Sequence, residues 1–213
     1  MLLYGVPLSP FVRKTLFMIY EMELKIDREL VVPGSDLAAF RRASPLGRIP
    51  ALVDGSLYLW DSSAICHYLA RRYESELIPY KDPQQFARII TQDKYADEDL
   101  SAAVFEPLLE RVIKPVRFGK ASDETVVQAS INQKMPPVFD YLESQLEESG
   151  EQWFAGTDFT FADITLGGHM SNLFLAGIDI ESTRWPALSA WFNRLSKRPA
   201  FKQLCEEARS FRP

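Results

Sequence analysis

Cysteine is scarce. Only Cys66 and Cys205 occur in 213 residues, far apart and without a CxxC neighbour, which excludes a disulfide framework and metal-ligand spacing. An excess of positive charge is missing as well. With 24 Lys and Arg against 29 Asp and Glu, the formal net charge of -5 has the wrong sign for nucleic acid or an anionic membrane as main partner. The arginine pairs Arg41-Arg42 and Arg71-Arg72 read as solvated helix faces rather than phosphate sites. Long apolar runs are absent too: the late uncharged stretch from Ile164 to Ile178 is interrupted by Gly167, Gly168, His169 and Asn172, and the opening MLLYGVPLSPF has no charged leader. The expectation is a cytoplasmic chain with no signal peptide, membrane span, bound metal, internal repeat or low-complexity tract.

What is present is an ordinary globular composition, 46% hydrophobic and 25% charged, enough for a substantial core. Leu2 to Tyr4 is a short apolar strand, Pro10 to Glu21 a helix with Val12, Leu16 and Ile19 on one face, and Ile26 to Val32 a second strand. A short helix over Leu37 to Arg42 precedes ALVDGSLYLW, two apolar segments split by Asp54-Gly55, a dipeptide suited to a tight hairpin. A helix over Ser62 to Tyr73 follows. This βαβαββα order predicts a small sheet covered by helices. From Pro83 onward the grammar changes to amphipathic helices at Gln84 to Phe105, Glu124 to Glu147, Phe161 to Leu175, Ala187 to Lys197 and Ala200 to Ala208, an all-helical half. ESELIPYKDP, with Pro79 and Pro83, marks the boundary, giving an α/β domain over 1–76, a linker over 77–84 and an all-α domain over 85–213.

Four short stretches carry candidate chemistry. In PLSPFVRK, Ser9 is a favourable helix cap and Pro10 suits the first helical position. Capping uses the serine oxygen as an acceptor, so its hydrogen stays free to donate outward. A thiol brought there would feel the helix dipole, about 0.3 to 1 kcal/mol, and a charge-assisted hydrogen bond, about 1.5 to 3 kcal/mol. Together these amount to roughly one to three pKa units, enough to bring a thiol from about 8.5 to near or below neutrality. In SPLGRIPALVDG, Pro50 belongs at a strand start and pushes Ile49 to an extended backbone; a cis Ile49-Pro50 bond would turn the Ile49 N–H and C=O toward an extended ligand. In WDSSAICHYLARRY, Ser62 is a candidate cap whose neighbouring N–H groups suit a carboxylate, and Asp61 beside it suits an amino group. In FTFADITLGG, Thr160 and Asp163 form a near capping box and read as folding information. Cys66, His67 and His169 read as structural, with nothing near them in sequence to orient the histidines.

Taken in this order, the four stretches resemble the cytosolic glutathione transferase family over the whole chain, specifically its serine-type, bacterial-like members. The resemblance implies a thioredoxin-like N-terminal domain that binds glutathione, an all-helical C-terminal domain that supplies the electrophile pocket, and a homodimer. It also implies Ser9 as holder of the glutathione thiolate, Pro50 as a cis-proline, Ile49 pairing its backbone with the cysteinyl part, Asp61 and Ser62 at the γ-glutamyl end, and Arg48 near the glycyl carboxylate. Tyr4 is the alternative thiol donor and, with Phe11, a candidate lining of the electrophile pocket, while Phe11 could equally pack on a helix face. Ser35 and Asp36 depart from the basic or histidine residues that many members use at the glycyl end. The implied activity is transfer of the glutathione sulfur to an apolar electrophile. A non-catalytic scaffold, or a glutathione-dependent peroxidase or dehalogenase, is the alternative on the same fold.

Overall fold

The computed structural model describes residues 1–211. Its N-terminal half is built on a four-stranded sheet in the order β2-β1-β3-β4. Strand β1 (Leu2–Tyr4) pairs parallel with β2 (Asp27–Glu29) and antiparallel with β3 (Ala51–Asp54), which turns back into β4 (Leu57–Trp60) with Asp54 opposite Leu57. The hairpin turn is centred on Gly55 and Ser56 rather than on Asp54-Gly55, and Gly55 supplies the positive φ, 59°, that such a tight turn needs. Strand β2 is shorter than Ile26 to Val32. Only three residues pair with β1; past Glu29 the chain leaves the sheet, exposing Leu30, burying Val31 and sending Val32 to a cleft.

Helices α1 (Pro10–Glu21), α2 (Ala38–Ala43) and α3 (Ser62–Arg72) complete this half in the expected order. After the segment 73–82, Asp82 caps α4 by accepting from the N–H groups of Gln84 and Gln85, each at 3.0 Å.

One helical path then runs without a break over 83–118: α4 (Pro83–Tyr95), a π-helical turn (Ala96–Leu100), α5 (Ser101–Leu108), a second π-helical turn (Leu109–Ile113) and α6 (Lys114–Phe118). It is longer than the expected Gln84 to Phe105. Pro107 does not end it, although it has no N–H for the Ala103 carbonyl one turn back; the Ser130 hydroxyl supplies that bond at 2.6 Å. The rest comprises α7 (Glu124–Ala129), a third π-helical turn (Ser130–Lys134), α8 (Met135–Ser149), α9 (Phe161–Ala176), α10 (Pro186–Leu195) and α11 (Pro199–Ser210).

Helix α9 is buried along most of its length and packs against α1. Gly168 permits the contact: a Cβ there would stand 2.9 Å from the Lys14 Cα, so any side chain would push the two helices apart. At the start of α9, the Asp163 carboxylate accepts from Thr160 N–H at 3.0 Å, Phe154 N–H at 3.1 Å and Trp191 Nε1 at 2.9 Å. The capping reading of that motif holds, with two partners from outside the helix. One continuous apolar core joins the two halves.

Candidate active site

Between the halves lies a cleft of about 640 Å³, and the Ser9 stretch forms its floor. Ser9 has the extended backbone of a helix cap, φ -78° and ψ 127°, and its Oγ accepts the Val12 N–H at 3.4 Å. It makes no other side-chain hydrogen bond among the described residues, so its hydrogen is available to the cleft that it lines. Pro10 and Phe11 continue the same wall.

The second wall is the turn before β3. Gly47, φ 66°, lets the chain fold back, and its carbonyl accepts the Gly34 N–H at 2.9 Å. Ser44, fully buried, takes the Arg48 N–H at 2.9 Å and donates to the Arg48 carbonyl at 2.7 Å, holding the turn from inside. The Ile49-Pro50 bond is cis. Ile49 is 8% exposed, yet its backbone N–H and C=O enter no hydrogen bond among the described residues. Ile49 lines the cleft, so these two groups are free to pair with a strand-like ligand there.

The third wall is the start of α3, where the assignment of the cap needs correcting. Asp61, not Ser62, is the N-cap, with its Oδ1 accepting the Ala64 N–H at 2.9 Å. Ser62 is already the first helical residue and is 2% exposed, because Asp61 turns the chain at φ 98° and swings the next residue inward. A positive φ on a non-glycine residue costs about 1 to 3 kcal/mol and persists where the surroundings impose it. Here it leaves Asp61 solvent-facing at the rim and Ser62 at the helix N-terminus, both lining the cleft.

The opposite side is apolar. Phe11 and Trp60 from the N-terminal half face Phe105, Leu109, Ile113 and Phe118, with Arg117 the charged residue among them. The second π-helical turn lies in this wall and aims Leu109 and Ile113 into the cleft. Phe11 lines the cleft and also packs on the helical half, standing edge-on to His169 with ring centres 5.1 Å apart.

Tyr4 is a correction. It is 3% exposed, packs on Phe40 at 5.8 Å, and does not line the cleft, since its place in β1 points it into the core. Burial pushes its phenol up. Ser35 and Asp36 also lie outside the cleft; Arg41 instead ties that loop down through the Ser35 carbonyl at 2.7 Å and the Gly34 carbonyl at 3.0 Å.

Behind Ser9 is a polar core that sequence spacing did not reveal. Lys14, fully buried, reaches Asp93 at 3.0 Å, Asp97 at 2.7 Å and the Ser63 hydroxyl at 2.9 Å. His169 does have an orienting partner, Asp97, whose Oδ1 lies 2.9 Å from its Nε2. Burial lowers the His169 pKa and keeps the ring neutral at neutral pH. Burial also works against an ionised Asp97, but the His169 hydrogen bond and the Lys14 ammonium outweigh it and hold that carboxyl at about 2. Cys66 is buried in α3 and its thiol is pushed up to about 12 by burial, as suits a packing residue.

Two family models match the chain: the glutathione S-transferase N-terminal domain over residues 3–77 and the glutathione S-transferase C-terminal domain over residues 109–207. The chain is 29% identical over 209 residues to the glutathione S-transferase GstB of Escherichia coli K12, covering 95% of this chain and 96% of that protein. Among solved structures it is similar to glutathione transferase F7 from Populus trichocarpa, with a TM-score of 0.81, 26% identity and 99% of each chain covered. It is also similar to maize glutathione S-transferase I in complex with an atrazine glutathione conjugate, with a TM-score of 0.80, 25% identity and 98% of each chain covered.

Proposed function

The chain belongs to the glutathione S-transferase family, and from that premise we propose that Ser9 holds the sulfur of bound glutathione as a thiolate and presents it to an electrophile in the apolar half of the cleft. The protein is a glutathione transferase with glutathione as co-substrate. The assignment to serine-type members and the role of each residue are our reading.

In that reading the thiol proton leaves to solvent, and the Ser9 O–H donates to the sulfur that remains at the positive end of α1. The unpaired N–H and C=O of Ile49 take the cysteinyl backbone, with cis-Pro50 setting their direction. Asp61 takes the γ-glutamyl amino group, while Ser62 and the first N–H groups of α3 take its carboxylate. Arg48 takes the glycyl carboxylate. The sulfur attacks an electrophilic carbon held against Phe11, Trp60, Phe105 and Phe118, forming a carbon–sulfur bond as the leaving group departs or a double bond accepts the electron pair.

One observation carries the reading: Ser9, Arg48, Ile49, Pro50, Asp61 and Ser62, drawn from three separate stretches, line one cleft that continues into an aromatic wall. The same reading divides the chain into domains over 1–76 and 85–213 with a linker over 77–84, and gives it a cytoplasmic location and a homodimeric state, which sedimentation would check. Ser9→Ala is the test of the chemistry. The variant should stay folded, losing about 1 kcal/mol as a missing cap. Its ultraviolet thiolate band with bound glutathione should fall sharply, and kcat/KM should drop about 10- to 100-fold, the equivalent of a charge-assisted hydrogen bond. An unchanged band would leave Ser9 as a cap alone.

A further inference from the structure

Among the described residues two cations are wholly enclosed, Arg13 and Lys14. Lys14 is paired with two carboxylates, Asp93 and Asp97, both of which it contacts directly. Arg13, one residue away, bonds only to neutral oxygens. Its Nη1 donates to the Pro7 carbonyl at 3.0 Å and the Leu8 carbonyl at 2.9 Å, its Nε to the Ser171 hydroxyl at 2.7 Å, and its Nη2 to Asn172 Oδ1. A buried guanidinium ordinarily comes with a carboxylate, because removing it from water is expensive without one. None is bonded to it among the described residues. Burial lowers its pKa to about 10, which leaves it charged at neutral pH.

The Leu8 carbonyl that Arg13 grips belongs to the peptide unit shared with Ser9, and Leu8 and Ser9 both line the cleft. The long side chain points back toward the N-terminus of its own helix, so the charge lies beneath the loop that presents the serine. We propose that Arg13 is a positioning residue whose uncompensated charge, held under the Pro7-Leu8-Ser9 loop by four neutral acceptors, is the counter-charge for the glutathione thiolate. This rests on the reading that the glutathione sulfur sits at Ser9. The anion that Arg13 lacks as a bonded partner arrives with the substrate.

The other titratable groups around Arg13 do not fill that role. His169 on α9 is kept neutral by burial, Cys205 on α11 has its thiol pushed up to about 12 by burial, Lys14 is itself a cation, and Asp93 and Asp97 are bonded to Lys14 rather than to Arg13. Around Ser9 the cleft adds Arg48, Asp61 and Arg117.

Asn172→Asp is the discriminating variant. It is nearly isosteric, keeps an oxygen toward Arg13 and gives the guanidinium the carboxylate it lacks, at the cost of one hydrogen bond to the Val104 carbonyl. The ultraviolet thiolate band of the glutathione complex is followed against pH in the wild type, in Asn172→Asp and in Arg13→Gln. In both variants the midpoint should rise by about one unit, tenfold less thiolate below the midpoint. A merely structural arginine would leave the Asn172→Asp midpoint in place. Asn172→Asp that melts as a folded protein and titrates at the wild-type midpoint overturns the proposal, even if Arg13→Gln fails to fold. A wild-type complex with no thiolate band overturns the Ser9 reading beneath it, whereas a wild-type band that neither variant moves overturns only the role of Arg13.

Discussion

The Lys14 ammonium lies 2.7 Å from Asp97 Oδ2, a fully buried cation on the first helix against a carboxylate on the first π-helical turn of the C-terminal half. The pair ties the halves together behind the cleft. Because the folded pKa of Asp97 is held at about 2 against an ordinary 3.8, the unfolded chain binds more protons between those values. The stabilisation, about 2 kcal/mol, is therefore fully present above pH 4 and is lost as the pH falls through 2. Acid titration of the melting temperature should show that slope, and Asp97→Asn should flatten it.

Removing the cation has a larger effect. Lys14→Met leaves the buried Asp93 and the partly buried Asp97 without their ammonium partner, and the expected loss is about 3 kcal/mol, the low end for a broken buried pair. Urea unfolding at neutral pH measures it; a loss below 1 kcal/mol would mean that water already reaches the pair.

Asp61→Asn separates the cap from the ligand contact. Asparagine caps helices as well as aspartate does, and it tolerates a positive φ better than most residues, so stability should stay within about 1 kcal/mol. The negative charge offered to the γ-glutamyl amino group is gone, and KM for glutathione should rise about tenfold while kcat at saturation changes little. Equal wild-type and variant KM values would remove Asp61 from the binding site.

Ser44 makes no contact with the cleft, yet both of its bonds go to the Arg48 backbone. Ser44→Ala removes both bonds to the part-buried Arg48 backbone, a loss of about 0.5 to 1.5 kcal/mol. The loosened turn should weaken glutathione binding in calorimetry without moving the pH at which the bound thiol ionises. A shifted ionisation would mean that the turn contributes to the field at the sulfur.

Tyr4→Phe should be silent. The ring stays packed on Phe40, and a hydroxyl pointing away from the cleft has no part in ionising the sulfur. Thiolate absorbance and kcat/KM equal to wild type are expected, and a tenfold fall would restore Tyr4 as a donor.

Much of this architecture is legible in the chain because it depends on neighbours within a few residues. The Ser9-Pro10 pair locates the first helix start, the change from period-two to helical patterning locates the passage to the all-helical half, and Thr160 with Asp163 marks the start of α9. That Ser9, Arg48 to Pro50, Asp61 and Ser62 share a cleft is anticipated only through the family resemblance that the motifs carry, not by the stretches read one at a time. Local reasoning misses wherever a distant partner decides. Ser62 looked like the cap because both it and Asp61 have capping side chains, and only the positive φ of Asp61 settles which one turns the corner. The helix from Gln84 is expected to stop at Phe105, and a hydroxyl from Ser130 takes the bond to the Ala103 carbonyl that Pro107 leaves open.

Helix starts, strand alternation and hairpin turns follow from steric and hydrogen-bonding rules that act over three or four residues, so the amino-acid order alone determined the order of elements and marked the candidate stretches. The direction of Tyr4, the aromatic wall from α5 and α6, the His169 partnership with Asp97 and the uncompensated charge of Arg13 arise from pairings between residues far apart in the chain. Burial and charge belong to surroundings rather than to residue types, and those surroundings exist only once the two halves have packed.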